Sequence, residues 1–457
     1  MKKKILIGLS VAAMASAGFV TGCNKKANTS RTGLDVSWAS AMTLSELEAA
    51  SKKEFEQNST PFKVVGLTSV LDKVAKTFAA KYKTWIHYGE EGEGAHADNV
   101  YVDSSYKDMA LLTALDSAKN GYFADYALVQ DARSFATYLK SGITYNYVPF
   151  FAADGIKLST DAMLPLKGVH FNKLFWTNTN FTNITGKTLY NIWQMAGTSA
   201  DPDHLSKVSF QSPETEQINM SFLVSCYAEA NQKRIEDAYE HYYGRKWAAS
   251  NSYATAGAQW VDEFINNISR YHSSDGTCMK ETQLKDEWKE GYVYYGAFAK
   301  MKDAVGKYYW PANADPDDPI LTPLKETEGE NAGKVNAMKT VKWDWEIDGF
   351  NGFMYSMDSQ IINNAKYPYT ACLFARTLLE ETSYTGAIYN SKTPDADGQK
   401  ANQYGYYYPG EASASFRYAA GDWTKEQHIE REINEDYTYL KSVSASLVES
   451  ILVKIKK

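Results

Sequence analysis

Cysteine is scarce in this chain: only Cys23, Cys226, Cys278 and Cys372 occur in 457 residues. So few, so widely spread, they do not form a disulfide framework. Cys226 and Cys372 lie in apolar helical surroundings (Phe222-Leu223-Val224 and Leu373-Phe374) and read as buried thiols. A single disulfide among the last three cysteines stays open. Basic residues have no excess either. Lys and Arg total 48 against 55 for Asp and Glu, a formal charge of −7. No basic patch stands out, which argues against nucleic acid as a partner. After the first two dozen residues no stretch reaches 18 apolar residues, so no later segment reads as a membrane-spanning helix. There is no GxxxxGK[ST] loop, no HExxH and no GxSxG elbow. The seven histidines show no paired metal spacing. The chain is therefore expected to work without catalysis, metal or cofactor. The acidic run Glu90-Glu91-Gly92-Glu93 reads as a solvated loop.

What is present begins at the N-terminus. Lys2, Lys3 and Lys4 precede a short apolar stretch, Ile5 to Val20, and then Val20-Thr21-Gly22-Cys23. A cationic start, an apolar segment and small residues at the cut make a secretion signal. The cysteine after Gly22 resembles the bacterial lipobox, with Val20 where Leu is usual. The resemblance implies cleavage of residues 1–22 and lipid attachment at Cys23, holding the protein on the outer side of a membrane. Each buried CH₂ contributes about 0.8 kcal/mol, so two or three chains anchor stably. An ordinary signal with a chance cysteine is the alternative. Residues 23–40 open with polar Asn24 to Ser30 and read as a flexible tether.

The remaining chain is long enough for two domains or one bilobal body. Tyrosine is abundant, at 33, beside 11 tryptophans. Such residues suit ligand clefts, although most must serve packing. Thr43 and Glu46 form a capping box ahead of a helix over Leu44–Gln57. Phe62 to Leu67 reads as a strand, Val70 to Tyr82 as a helix, and Trp85 to Tyr88 as a second strand. Tyr106 to Asn120 is helical and Asp125 to Val129 is a third strand. This β-α-β-α-β order predicts a parallel sheet with crossover helices. Ligands bind outside the carboxyl ends of such strands, which puts Ser69, Gln130 and Asp131 on the binding edge. A second α/β unit follows. It contains strands at Leu174–Thr179 and Lys207–Phe210, and a short helix at Thr188–Met195. Ser212-Pro213-Glu214 reads as a helix start, with the helix continuing over Ile218–Asn231. A long helix over Ala258–Tyr271 and a strand at Tyr292–Tyr295 complete the unit. Ala312 to Lys339 is a polar insertion, and Trp423 to Lys457 ends the chain as helix.

Four segments carry a family likeness. They are Phe62-Lys63-Val64-Val65-Gly66-Leu67-Thr68-Ser69, Phe123 to Leu128, Lys207 to Pro213, and Asn363 to Phe374. In this order they resemble the extracellular solute-binding proteins of ABC importers, in the group of ferric, polyamine and thiamine binders. The likeness covers about residues 62–381. It implies an α/β, two-lobed type II periplasmic-binding-protein fold, each lobe a mostly parallel sheet flanked by helices, with a hinge of crossing strands. On that reading residues 41–170 begin lobe 1 and residues 171–305 form lobe 2. Residues 306–340 are the insertion, residues 341–400 return to lobe 1, and residues 401–457 form a tyrosine-rich loop and C-terminal helices.

The resemblance also implies a function. A monomer would capture a small solute between its lobes and deliver it to the permease subunits of a transporter. Polyamine, sugar, a thiamine-like molecule or ferric ion are the solutes in view. Ser69, Gln130 and Asp131 would contact it, although each also suits capping or a solvated turn. Thr215 opens the second-lobe helix, where capping is the plainer reading. Tyr292 and Tyr295 follow a Glu-Gly turn like that of some ferric binders, and equally suit sheet packing. Trp343 and Trp345 share a strand face and would stack a sugar or cage a cation, with Asp348 pairing an ammonium. A secreted glycan-processing enzyme and a surface-binding lipoprotein without a transporter are the alternatives.

Overall fold

The computed structural model describes residues 39, 41–66, 70–106, 108–117, 121–130, 133, 138, 141–148, 166–177, 188–201, 203–205, 207–278, 292–297, 324–325, 335–336, 339–340, 347–378 and 425–455. All of them belong to the compact unit of residues 33–457. Leu44–Gln57 forms α1. The expected capping box is present: the Thr43 hydroxyl accepts from the Glu46 backbone, and the Glu46 carboxylate accepts from the Thr43 N–H at 2.9 Å. Then come β1 (Phe62–Gly66), α2 (Val70–Lys81), β2 (Val100–Asp103), α3 (Asp108–Ser117) and β3 (Tyr126–Val129). β1 pairs in parallel with β2 on one side and β3 on the other. Phe62, Val64 and Val65 are all buried, as expected for a strand covered on both faces.

After β4 (Thr144–Tyr145) and β5 (Leu166–Thr177), a 3₁₀ turn at Ile192–Met195 leads to β6 (Lys207–Gln211). The helices α4 (Gln217–Ser225), α5 (Glu229–Tyr243) and α6 (Ala256–Asn267) follow, then β7 (Ile268–His272) and β8 (Tyr292–Ala297). β6 lies between β7 and β8, parallel to both. In the insertion, β9 (Leu324–Lys325) and β10 (Val335–Asn336) pair antiparallel, and β11 (Lys339–Thr340) borders β5. β12 (Gly352–Ile362), α7 (Pro368–Leu378), α8 (Lys425–Arg431), β13 (Ile433–Asn434), α9 (Tyr437–Leu440) and α10 (Ala445–Ile455) complete the described chain.

The main sheet runs β2-β1-β3-β12-β5-β8-β6-β7. Its two central strands are long, antiparallel and shared by both halves. On β12, Phe353 and Tyr355 pack in the core around Phe210, Phe222 and Trp260. Further along the strand, Met357 and Ile361 pack in the core around Phe62, Phe78 and Phe374. β5 does the same in reverse, with Leu166 in the latter core and Phe175 in the former. Two lobes, each a mostly parallel sheet with flanking helices, are thus joined by crossing strands. The C-terminal segment belongs to the second lobe. Ile451 is buried there, and β13 adds to the edge of β12.

Several local expectations are corrected. Trp85 to Tyr88 is not a strand. The backbone N–H groups of Trp85 and Ile86 donate to the Tyr82 carbonyl, continuing the end of α2, and Ile86 lines the core. The strand beside β1 is β2, a dozen residues later. Helix α4 starts at Gln217, not at Ser212, and the expected run over 218–231 breaks into α4 and α5. The break leaves the Cys226 carbonyl turned toward Gln232, whose side chain donates to it at 2.9 Å. The helix expected to reach Tyr271 ends at Asn267, because Ile268 to His272 find partners on β6. The C-terminal helix is three helices and a strand. Cys226, Cys278 and Cys372 are buried, and no disulfide joins them.

Candidate functional site at the junction of the lobes

Gln130 follows the carboxyl end of β3 and is buried. Glu216 precedes α4 in the other lobe, and its carboxylate does not cap its own helix. Instead it accepts from the Gln130 side-chain amide at 2.9 Å. Beside it, the Arg133 guanidinium donates to the Gln217 side-chain oxygen at 2.5 Å. Two contacts therefore bridge the strand end of the first lobe and the helix start of the second.

Beneath this bridge lies Lys173 of the crossing strand β5, with only 2% of its side chain exposed. Its ammonium donates to Asn219 Oδ1 at 2.9 Å, Asp275 Oδ1 at 3.3 Å and Gln211 Oε1 at 3.5 Å. Glu216 Oε2 lies 3.9 Å away. Burial works against this charge, but the carboxylates of Asp275 and Glu216 outweigh it and hold the ammonium above the usual lysine range. Each partner is itself fixed. Asn219 donates to the Gln211 carbonyl at 2.7 Å, Gln211 donates to the Ser273 carbonyl at 3.1 Å, and Asp275 accepts from the Ala297 N–H at 3.3 Å. Tyr294 donates its hydroxyl to the Asp275 carbonyl at 3.1 Å. The junction holds one cation, two carboxylates and several amides in one connected network, with the Arg133–Gln217 pair beside it. Such a network can exchange internal partners for the polar groups of a ligand without leaving a charge uncompensated.

Of the residues anticipated from sequence, Gln130 stands in this network. Thr215 adjoins it, exposed, with its hydroxyl donating to the Ser212 carbonyl at 3.1 Å. Tyr295 is placed in the second-lobe core, its ring 4.7 Å from Phe222 and 5.1 Å from Phe210. Burial holds its phenol well above the ordinary value. Asp348 is not brought to the junction: it pairs with His241 and accepts from Asn191 at 3.5 Å. The backbone of Tyr292 begins β8. Its side chain, and the residues Ser69, Asp131, Trp343 and Trp345, lie outside the described residues. Sequence reasoning missed Lys173, Arg133, Glu216 and Asp275. Lys173 did carry a signal, as a lysine directly before the apolar strand residues Leu174-Phe175-Trp176. Asp275 carried none, since Ser-Ser-Asp-Gly reads as a solvated turn.

No family model and no curated protein sequence matches the chain. Solved structures do match in three dimensions. One is the periplasmic binding protein MotA from A. tumefaciens B6 in complex with glucopine. It has 10% identity and a TM-score of 0.53 over 87% of this chain and 100% of that one. Another is iron-bound HitA from Pseudomonas aeruginosa, at 10% identity and 0.52 over 87% and 100%. A third is the periplasmic binding protein AfuA from Actinobacillus pleuropneumoniae with fructose-6-phosphate bound, at 12% identity and 0.52 over 87% and 99%. The fold is that of the two-lobed periplasmic binding proteins.

Proposed function

We propose that this chain is the non-catalytic substrate-binding component of an ABC importer. It captures a small solute between its lobes and presents it to membrane permease subunits. The observation that carries this reading is the bridge from Gln130 to Glu216 over the buried Lys173, at the place where the two lobes of this fold meet. A solute seated there would add contacts to both lobes at once, so it would favour the closed arrangement over the open one. Mixed charge and amides suit a polar or charged solute. The three similar structures differ in what they hold (glucopine, iron, a sugar phosphate), which leaves the solute to be found by screening. The N-terminal segment supports export, and Cys23 supports a lipid tether that keeps the protein beside its permease on the outer side of the membrane.

The test is a thermal-shift screen of the purified chain with polyamines, sugars and sugar phosphates, thiamine and ferric ion. A true solute raises Tm with concentration by mass action, about 2.7 kcal/mol at a hundredfold excess over Kd. No shift with any small solute would sink the reading.

A further inference from the structure

Away from the junction, the loop between α2 and β2 gathers His87, Glu90 and His96. One ligand-capable atom from each lies within 4.8 Å of the others. We propose that these three side chains form a binding site for a borderline divalent transition metal, with zinc(II) as the type ion. No sequence motif announces it. The spacing His-x-x-Glu-x₅-His has no helical or hairpin logic, and only the fold of the loop closes it.

The loop is built to hold the three groups together. Asn99, the residue before β2, fixes His87 in both directions: its side chain accepts from the His87 N–H at 2.8 Å and its own N–H donates to the His87 carbonyl at 3.0 Å. Asp98 accepts from the Gly89 N–H at 2.8 Å, and Tyr88 is tied to Asp72 of α2 at 2.7 Å. Gly89, Gly92 and Gly94 take φ of 63°, 107° and 87°, which folds the intervening chain back so that residue 96 returns to residue 87. The imidazoles of His87 and His96 stack at 4.2 Å between centroids. Glu90 spans both: Oε1 is 2.9 Å from His87 Nδ1, and Oε2 accepts from the His96 backbone N–H at 3.0 Å.

One hydrogen bond joins His87 and Glu90. A dication can take the place of that contact and gain a second imidazole. Zn–N and Zn–O distances of about 2.0–2.1 Å put ligand atoms of one ion roughly 3.3 Å apart, so side-chain rotation alone brings this set to coordination. Two imidazoles with one carboxylate select zinc, copper or nickel over calcium and magnesium, which require mostly oxygen ligands. Three protein ligands on an exposed loop leave the fourth position to water. Glu91 and Glu93, both exposed beside the site, add a negative field that attracts cations.

The experiment uses the full chain stripped by a chelator and titrated calorimetrically with zinc chloride. Cobalt(II) serves as a parallel probe, read by its visible absorption. One zinc per chain with a micromolar Kd is expected, together with the cobalt band of a low-coordinate site. His96→Ala and Glu90→Gln, both at the exposed side of the loop, should each weaken zinc at least tenfold. Both variants should keep the metal-free Tm and the response to whichever solute shifts the parent chain, because the junction does not involve this loop. Absence of zinc binding, or binding that persists unchanged in His96→Ala and Glu90→Gln, overturns the proposal.

Discussion

Gln130 and Glu216 are 86 residues apart in sequence and 2.9 Å apart in space, the amide of one lobe donating to the carboxylate of the other. Glu216 forgoes the capping of its own helix to make this contact. One carboxylate thus ties the strand end of one lobe to the helix start of the other.

Removing that carboxylate should open the molecule. Glu216→Ala abolishes the Gln130 contact and withdraws one of the two charges facing Lys173. A hydrogen bond to a charged group is worth about 1.5–3 kcal/mol. The closed population should therefore fall by roughly tenfold or more. Small-angle scattering should show a larger radius of gyration for Glu216→Ala than for the parent, and an unchanged radius would refute the coupling.

Lys173 should be far more sensitive to truncation than a surface lysine. Lys173→Met leaves Asp275 and Glu216 facing each other with no cation between them. Breaking a buried pair in this way costs about 3–5 kcal/mol. Denaturant unfolding should show that loss, and Lys173→Met combined with Asp275→Asn should recover part of it. Equal stability of the single and double variants would count against the network.

A pH dependence should arise behind the crossing strands. The Ser356 hydroxyl lies 2.9 Å from Asp358 Oδ1 and 2.8 Å from Glu435 Oε2. One hydroxyl has one proton to give, so the two carboxylates compete for it. Burial, then the nearby Asp358, pushes Glu435 up from 4.5 to about 8. A carboxyl whose folded value is raised binds its proton more tightly when folded. Its contribution is fully present below pH 4.5 and is lost as pH climbs to about 8. Tm should therefore fall over that window, and Glu435→Gln should flatten the slope. A parent-like slope in Glu435→Gln would assign the effect elsewhere.

Gly257 should not tolerate a side chain. A Cβ there would lie 1.8 Å from the Cys226 carbonyl oxygen, at the break between α4 and α5. The atom it meets is backbone, so the two segments must move apart. Gly257→Ala should lower stability by about 1–3 kcal/mol or more, read as a lower denaturant midpoint at unchanged slope.

What could be read without coordinates had local causes. The capping box at Thr43 and Glu46 needs only four residues and a helix to follow. The apolar residues Phe62, Val64 and Val65 need only their own composition to declare a strand. The likeness of four ordered segments to the solute-binding proteins was enough to anticipate two lobes joined by crossing strands. Where local pattern misled, a distant partner had intervened. Ile86 fills a core instead of a sheet, and Ile268 to His272 leave a helix because β6 offers them hydrogen bonds.

The chemistry of both sites belongs to tertiary structure. Lys173 is an ordinary lysine until β6, α4 and Asp275 surround it. Gln130 and Glu216 acquire a role only when the lobes meet, and His87 and His96 become neighbours only because three left-handed glycines turn the loop back. Hydrophobic periodicity and capping act within a few residues, and sequence displays them directly. Charge compensation and ligand geometry act through space between residues far apart in the chain, and only the folded backbone brings those residues together.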